Sequence, residues 1–487
     1  MRACDWIWRG GYWCGESFIE PLIHPMLAHS LTPTADGGVR FTISERRPNG
    51  DTLSVEIRRG RVHVVAGPLG IAPVYVACKG DELHGSWDVA DLSEFASSER
   101  MVDRVVARLL SRRHRYSTDT LFSEIHRITE PTVATFTEAG INLRYPPDAL
   151  HVLKARHLAS DADPVSEFRH RLNKIVQPIF DANAQGVGVE LSGGLDSANV
   201  ALSMASCGES QICSFGVLID GVDGKAQVLR RMNLADKLEF RDYAVPVRDH
   251  LPFDLDGSRL HVAHDGDGEV YWEAFDAMRR KAVSHGVHTI LTGFGGDEML
   301  ALRLAERDAP PPLPALPGWL GPRVRRGLNE LETNVAPSSA VAVPTLMAAA
   351  RHPNYLRAGL WPVAPLAQPD MLQLGESLPV PLRNNKDLFR QRLARAGFGP
   401  AVTHPERPES FGPSMALALA RHAPRLVAGM LKESILVDLG YVNPYGLAEV
   451  LDLADRGQPL PPLLYDTLAV ELGLRSMTVS ERTGTKL

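Results

Sequence analysis

The chain has 487 residues, 44% hydrophobic and 23% charged, and a formal net charge of −6 at pH 7. At roughly 100 to 200 residues per domain this means two or three soluble globular domains, which excludes a disordered or fibrous chain, and the acidic balance makes nucleic acid a poor partner. Its five cysteines, Cys4, Cys14, Cys78, Cys207 and Cys213, form neither a CxxC pair nor a disulfide framework, and no run of about 18 apolar residues predicts a membrane span, so a reducing, cytoplasmic setting without membrane contact is expected.

In chain order, short alternating runs come first. Leu53 to Ile57, Val62 to Ala66, Val74 to Cys78, Leu83 to Trp87 and Thr132 to Phe136 read as strands, with Asp51-Thr52, Gly60 and Lys79-Gly80-Asp81 as turns. The basic clusters Arg112-Arg113-His114-Arg115 and Arg323 to Arg326 read as solvated faces. A polar linker, Ala159 to Pro164, marks a boundary, and Val165, Phe168, Leu172, Ile175 and Ile179 then fall at helical spacing. From Val187 the pattern alternates. Strands are predicted over Val187 to Leu191, Ile212 to Val217, Glu239 to Val245 and His288 to Thr292, with helices from Ser197, over Ala226 to Leu234 and over Tyr271 to Ser284. This is the signature of a parallel sheet with helices on both faces, whose ligand sits at the carboxyl ends of the strands. A Pro-rich stretch, Asp308 to Gly318, follows as a connector or lid, and the remainder to about Leu474 is largely helical, as in Lys386 to Ala396 and Met415 to Leu426.

The chemistry concentrates in two glycine turns. In Val187 to Val200 a strand runs into Ser192-Gly193-Gly194-Leu195-Asp196-Ser197 and then a helix. Glycines let the backbone approach a ligand closely, and the free N–H groups of a helix start favour an anion, so this is a phosphate cradle. Ser192 and Ser197 bring hydroxyl donors, while Asp196 suits Mg²⁺ beside a phosphate. Gly-Lys-Ser/Thr and G-x-G-x-x-G are both absent, so neither a Walker A loop nor a dinucleotide turn is present. The second turn, Thr292-Gly293-Phe294-Gly295-Gly296-Asp297-Glu298, follows another apolar strand and supplies Asp297 as partner to Asp196 for magnesium around a triphosphate.

These two motifs together resemble the synthetase domain of asparagine synthetase B and its relatives, over most of residues 165 to 475. The resemblance implies an α/β protein: an N-terminal class-II glutamine amidotransferase-like (Ntn-type αββα) domain over 1–160, then an ATP-pyrophosphatase parallel-sheet domain of the adenine nucleotide α-hydrolase type with a helical C-terminal part over 165–475. By that likeness Leu191, Val217, Thr292 and Gly293 contact adenosine, Ser192 to Ser197 hold pyrophosphate, and ATP and Mg²⁺ are the cofactors. Val64 to Tyr75 resembles the strand-turn-strand signature of the family's glutaminase. That glutaminase needs cysteine as the processed N-terminal residue, and Arg2 stands there instead. The resemblance therefore implies the branch lacking glutaminase, which includes lasso peptide cyclases and β-lactam synthetases.

The implied reaction adenylates a carboxylate and passes the acyl group to an amine, on a peptide or small molecule, with lasso peptide cyclisation first and β-lactam-forming or intermolecular amide synthesis second. A precursor peptide and a peptidase are the implied partners in the first case. A catalytically degenerate scaffold is the reading of another class. The family's Arg-x-Lys-x-x-Phe lysine is matched by Pro408 in His404 to Gly412, so Arg407 or Lys386 must supply the cation that faces the departing pyrophosphate. Trp361 to Asp370 resembles a worn strand-to-helix turn of the family, and Tyr355 with Glu376 has the order, though not the context, of a β-lactam synthetase's Tyr–Glu dyad.

Overall fold

A computed structural model describes residues 13–14, 17–18, 24–46, 52–58, 60–67, 74–79, 82–129, 132–145, 157–183, 185–208, 211–254, 257–266, 268–302, 306–307, 315–336, 353–407 and 409–482. Arg2, Cys4, most of the segment from Gly67 to Pro73, the Pro-rich residues 308–314 and Pro408 lie outside the described residues.

Strands β1 (Trp13–Cys14), β2 (Ser17–Phe18), β3 (Leu27–Pro33), β4 (Val39–Glu45), β5 (Thr52–Arg58), β6 (Arg61–Ala66), β7 (Val74–Lys79), β8 (Glu82–Ser86), β9 (Ile125–Ile128), β10 (Val133–Thr137) and β11 (Gly140–Arg144) build two antiparallel sheets. One has the order β11-β10-β6-β5-β4-β3 and the other β2-β1-β8-β7-β9. In β5, Leu53, Val55 and Ile57 are buried and alternate with Ser54 and Glu56, as the two-residue period of a pleated strand requires. In β7, Val74 and Val76 face the six-stranded sheet, whereas Tyr75 and Ala77 face a second core with helix α1 (Asp103–Leu110). The five-stranded sheet is thus covered on both faces. The strands predicted from Leu53, Val62, Val74, Leu83 and Thr132 are all present; β1, β2, β3, β4, β9 and β11 are not among the predicted strands. Of these, β2, β3, β9 and β11 are sheet edges, and in β3 and β11 exposed polar residues, with Pro33 in β3, mask the apolar alternation.

The linker at Ala159 to Pro164 is a turn in which Asp163 caps helix α2 (Pro164–Asn183), accepting from Val165 N at 3.1 Å and Ser166 Oγ at 2.7 Å. Then follow β12 (Val187–Glu190), α3 (Leu195–Ala205), β13 (Cys213–Leu218), α4 (Gly221–Leu238), β14 (Arg241–Pro246), α5 (Trp272–Ser284), β15 (Thr289–Leu291) and, after a longer excursion through α6 (Pro322–Gly327), β16 (Trp361–Val363). The sheet is parallel throughout, in the order β14-β13-β12-β15-β16. Helix α4 is longer than the predicted Ala226 to Leu234. It runs until Glu239 turns left-handed at φ 57° and ends it, so the next strand begins at Arg241 instead of Glu239.

Val187, Val189 and Leu191 point toward α2 and α3, while Phe215, Val217 and Ile290 point toward α5, so helices cover both sheet faces as the alternation predicted. The core on the α2–α3 side is continuous with the core between the two antiparallel sheets. Hydrogen bonds reinforce the junction: Trp361 Nε1 donates to Glu45 Oε1 at 2.9 Å, and His24 Nε2 lies 2.9 Å from the His288 carbonyl. The C-terminal part is helical, with α7 (Pro369–Ser377), α8 (Asp387–Arg395), α9 (Gly412–Lys432), α10 (Pro444–Asp455) and α11 (Leu464–Arg482). Helices α9, α10 and α11 share the second core with α1. Among the described residues no helix is long and apolar enough to cross a membrane.

Candidate functional site

The order of the parallel sheet reverses between β12 and β15, the place at the carboxyl ends of the strands where sheets of this kind open a ligand crevice. Both glycine turns end at this point. The first is built by its own side chains. Ser192 N donates to Ser197 Oγ at 3.1 Å, Gly194 N to Ser192 Oγ at 3.1 Å and Ser197 Oγ to Gly194 O at 3.2 Å. Gly193 sits at φ +92°, a conformation that side chains resist, and α3 starts at Leu195 directly after Gly194. In the second turn Gly293 and Gly296 lie against the first. A Cβ at Gly293 would stand 2.8 Å from Ser197 N, and one at Gly296 would stand 2.5 Å from Asp196 Cγ. The glycines of the second turn are therefore required by contact between the two turns as well as by backbone shape.

Lys386 joins them. Its Nζ donates to Asp196 Oδ1 at 2.8 Å and Oδ2 at 2.6 Å, and it lies 2.7 Å from Asp297 Oδ1. Two consecutive non-glycine residues in left-handed conformation, Asn385 at φ 51° and Lys386 at φ 56°, aim this side chain from the start of α8. Such strain costs on the order of 1–3 kcal/mol per residue and persists where packing over-determines it. Burial pushes the Asp196 carboxyl up to about 6; Lys386 opposes the shift, and the negative charges of Asp297 and Glu409 add to it. Burial works against the Lys386 ammonium, but Asp196 and Asp297 outweigh it and hold the lysine above its ordinary value. Glu298, next to Asp297, is likewise raised by burial and by its acidic neighbours.

Three residues of the site were not singled out from sequence. Gln227, fully buried on α4, donates to Ser192 O at 2.8 Å and Val217 O at 3.0 Å and accepts from Ile219 N at 2.9 Å, tying the cradle to the end of β13. Arg230, one turn further along α4, holds Glu409 Oε1 through Nη2 at 2.5 Å and Nε at 3.1 Å. Glu409 thereby lies over the cradle, where a Cβ on Gly193 would meet its Oε1 at 3.1 Å. The sequence carried no signal for these contacts beyond the nearness of Glu409 to Pro408, because they join segments far apart in the chain.

Leu191, Thr292 and Val217 are buried at the strand ends that rim the crevice, with Val217 packed among the residues facing α5. Arg407 is not brought to the carboxylates. Its side chain is 59% exposed and stands 3.8 Å from Asp223, while its carbonyl accepts from Arg230 Nη1 at 3.0 Å. The Tyr355–Glu376 pairing is replaced by another: the Tyr355 hydroxyl donates to Glu190 at the end of β12. Glu190 points to the α5 face of the sheet, where Tyr355 is buried beneath Arg279, and sequence order alone could not reveal that approach.

Residues 167–355 match the family model described as asparagine synthase. This part of the chain is similar to the asparagine synthase family. The match covers β12 to β15, both glycine turns and the Asp196–Asp297 pair; Lys386, Arg407 and Glu409 lie beyond it. The family suggests an ATP-dependent C–N ligase. Among solved structures, the chain is similar to a glutamine phosphoribosylpyrophosphate amidotransferase from B. subtilis, complexed with ADP and GMP, at 12% identity and a TM-score of 0.14. That alignment covers 60% of this chain and 63% of that one, so the chain spans less than two thirds of the relative's length. No curated protein sequence matches the chain.

Proposed function

We propose that the protein is an ATP-dependent, AMP-forming amide synthetase. In this reading a substrate carboxylate oxygen attacks the α-phosphorus of ATP, and the bond to the bridging oxygen breaks, so that pyrophosphate leaves with the electron pair. An amine nitrogen then attacks the acyl carbon, loses a proton, and AMP departs. The observation that carries the reading is the meeting of two glycine turns at the switch point of a parallel sheet, with Lys386 between Asp196 and Asp297.

The residues divide the work by position. Backbone N–H groups of Gly193 and Leu195, by the start of α3, with the Ser192 and Ser197 hydroxyls, would receive the β and γ phosphates. The strand ends at Leu191, Val217, Thr292 and Gly293 would flank the adenosine. Two carboxylates beside an open crevice fit a hard cation that keeps waters and phosphate oxygens as its other ligands, and among the described residues no group of three or more His, Cys, Asp or Glu is placed to hold a metal by itself. Asp196 and Asp297 would thus hold Mg²⁺, which when bound offsets phosphate charge. Lys386, released from the two carboxylates, then presents its charge to the departing pyrophosphate. Its position favours it over the exposed Arg407 for that task.

For the substrate, the proposal is natural-product amide formation such as lasso peptide cyclisation, with a precursor peptide and a peptidase as partners; β-lactam-forming or intermolecular amide synthesis is the alternative within the class. Pro408 in place of the family lysine favours, as a second reading, a scaffold without catalysis. Exchange of radiolabelled pyrophosphate into ATP decides between them. With a panel of candidate carboxylic and peptide acids, acid-dependent exchange that disappears in Asp196→Ala is expected. No exchange across the panel, together with no ATP binding by calorimetry, would put the scaffold first.

A further inference from the structure

Helices α3 and α8 start together at the crevice, at Asp196 and Lys386, and run side by side away from it. Arg392 lies six residues beyond Lys386 on α8, about 9 Å along the axis at 1.5 Å per residue. There, between α2, α3 and α8, is a second cavity of about 240 Å³. Three arginines line it, Arg169, Arg392 and Arg395, together with Asn173 and the apolar side chains of Val165 and Leu202.

Arg392 is the unusual member. It is 4% exposed, yet among the described residues no carboxylate pairs with it. Its Nη1 donates to Asn199 O at 2.8 Å and Oδ1 at 3.3 Å, its Nη2 donates to Ser203 Oγ at 2.6 Å, and its Nε has no partner among the described residues. The Phe168 ring lies 5.2 Å from its guanidinium carbon. Burial, and then the like charge of Arg169, push its pKa down. The Asp163 carboxylate is already engaged by Arg395 at 2.5 Å and does not pair with Arg392. Asn173, which lines the same cavity, has its Oδ1 buried without a partner among the described residues. A buried guanidinium without a counter-charge is strongly disfavoured unless something else provides one. A cavity opening onto that group provides room for it, and its size suits a small molecule only.

We propose that this cavity binds a small apolar carboxylic acid that carries an amino or hydroxyl group beside its carboxylate. The carboxylate meets Arg392 and Arg169, the neighbouring N–H or O–H donates to Asn173 Oδ1, and the hydrocarbon part lies against Val165 and Leu202. The site is separate from the nucleotide crevice and does not depend on the reaction proposed there.

The test is calorimetric titration of the full chain with L-valine, 3-methylbutanoate and inorganic phosphate, on wild type, Arg392→Met, Arg169→Ala and Asp196→Asn. Arg169 is on the surface, so its variant keeps the test open if Arg392→Met does not fold. L-valine is expected to bind wild type and Asp196→Asn equally, to bind more tightly than 3-methylbutanoate, and to lose about tenfold or more in Arg392→Met and several-fold in Arg169→Ala, the scale expected when an ion-pair partner is removed. Absence of binding to wild type overturns the proposal, as does binding that both arginine variants leave unchanged. Phosphate binding as tight as that of the organic acids would remove the role given to Val165 and Leu202, and a valine affinity no greater than that of 3-methylbutanoate would remove the role given to Asn173.

Discussion

Replacing Lys386 with methionine keeps the bulk of the side chain and deletes the ammonium that spans Asp196 and Asp297. Two consequences separate by magnitude. For stability, a unit-charge pair about 4 Å apart is worth about 4 kcal/mol at an effective dielectric of about 20, but desolvation offsets most of this. The Asp196 and Lys386 side chains are 21% and 25% exposed, so that pair retains part of its value, whereas Asp297, at 77% exposed, adds little. A net loss of about 1–2 kcal/mol is expected by urea denaturation, set by the Asp196 partner. For the reaction, removing a positioned charge from the site of developing negative charge costs about 10²–10³ in kcat, or about 2.7–4 kcal/mol. Pyrophosphate exchange at saturating ATP reads the second effect separately from the first, provided it is run below the unfolding transition. Arg407→Met, which removes only an exposed side chain 3.8 Å from Asp223, is expected to stay within about threefold of wild type. If Lys386→Met exchanges as fast as wild type while Arg407→Met is inactive, the assignment of the cation is wrong.

Gly296→Ala would drive a methyl to 2.5 Å from Asp196 Cγ, so exchange is expected to be lost together with about 1–3 kcal/mol of stability, read by activity and urea midpoint. Glu409→Gln removes a negative charge from above the cradle while leaving Arg230 a hydrogen-bond acceptor; ATP should bind several-fold more tightly by titration, and weaker binding would mean that Glu409 assists the nucleotide. His264, 5% exposed, is pushed by burial from 6.5 down to about 4. The unfolded chain therefore takes up this proton before the folded one does. The associated stability is fully present above about pH 6.5 and is lost as pH falls toward 4, on the order of 3 kcal/mol. His264→Asn should flatten that part of the stability profile between pH 7 and 4.5.

Local pattern made much of this protein legible in its sequence. The alternation of Leu53, Val55 and Ile57, the helical spacing from Val165 to Ile179, and the strand-turn-helix grammar around Ser192 and Gly293 are set by neighbours a few residues apart, which sequence displays directly. The expectation that both glycine turns open on one crevice follows from parallel-sheet topology and is met at the β12–β15 reversal. Edge strands β3 and β11 were hidden because a half-solvated edge need not alternate cleanly. The choice between Lys386 and Arg407 was open in the sequence, where Arg407 adjoins the eroded Pro408 position and Lys386 stands in a separate segment that could reach it. Only the packing of α8 against α3 puts Lys386 on the two carboxylates and leaves Arg407 at Asp223. The same holds for Glu409 over Gly193, for Tyr355 on Glu190 and for Arg392, which pairs with no carboxylate among the described residues. Each depends on side chains that meet across long stretches of chain, and on the burial that gives a charge its energetic weight; both are properties of the folded volume, which a linear pattern does not contain.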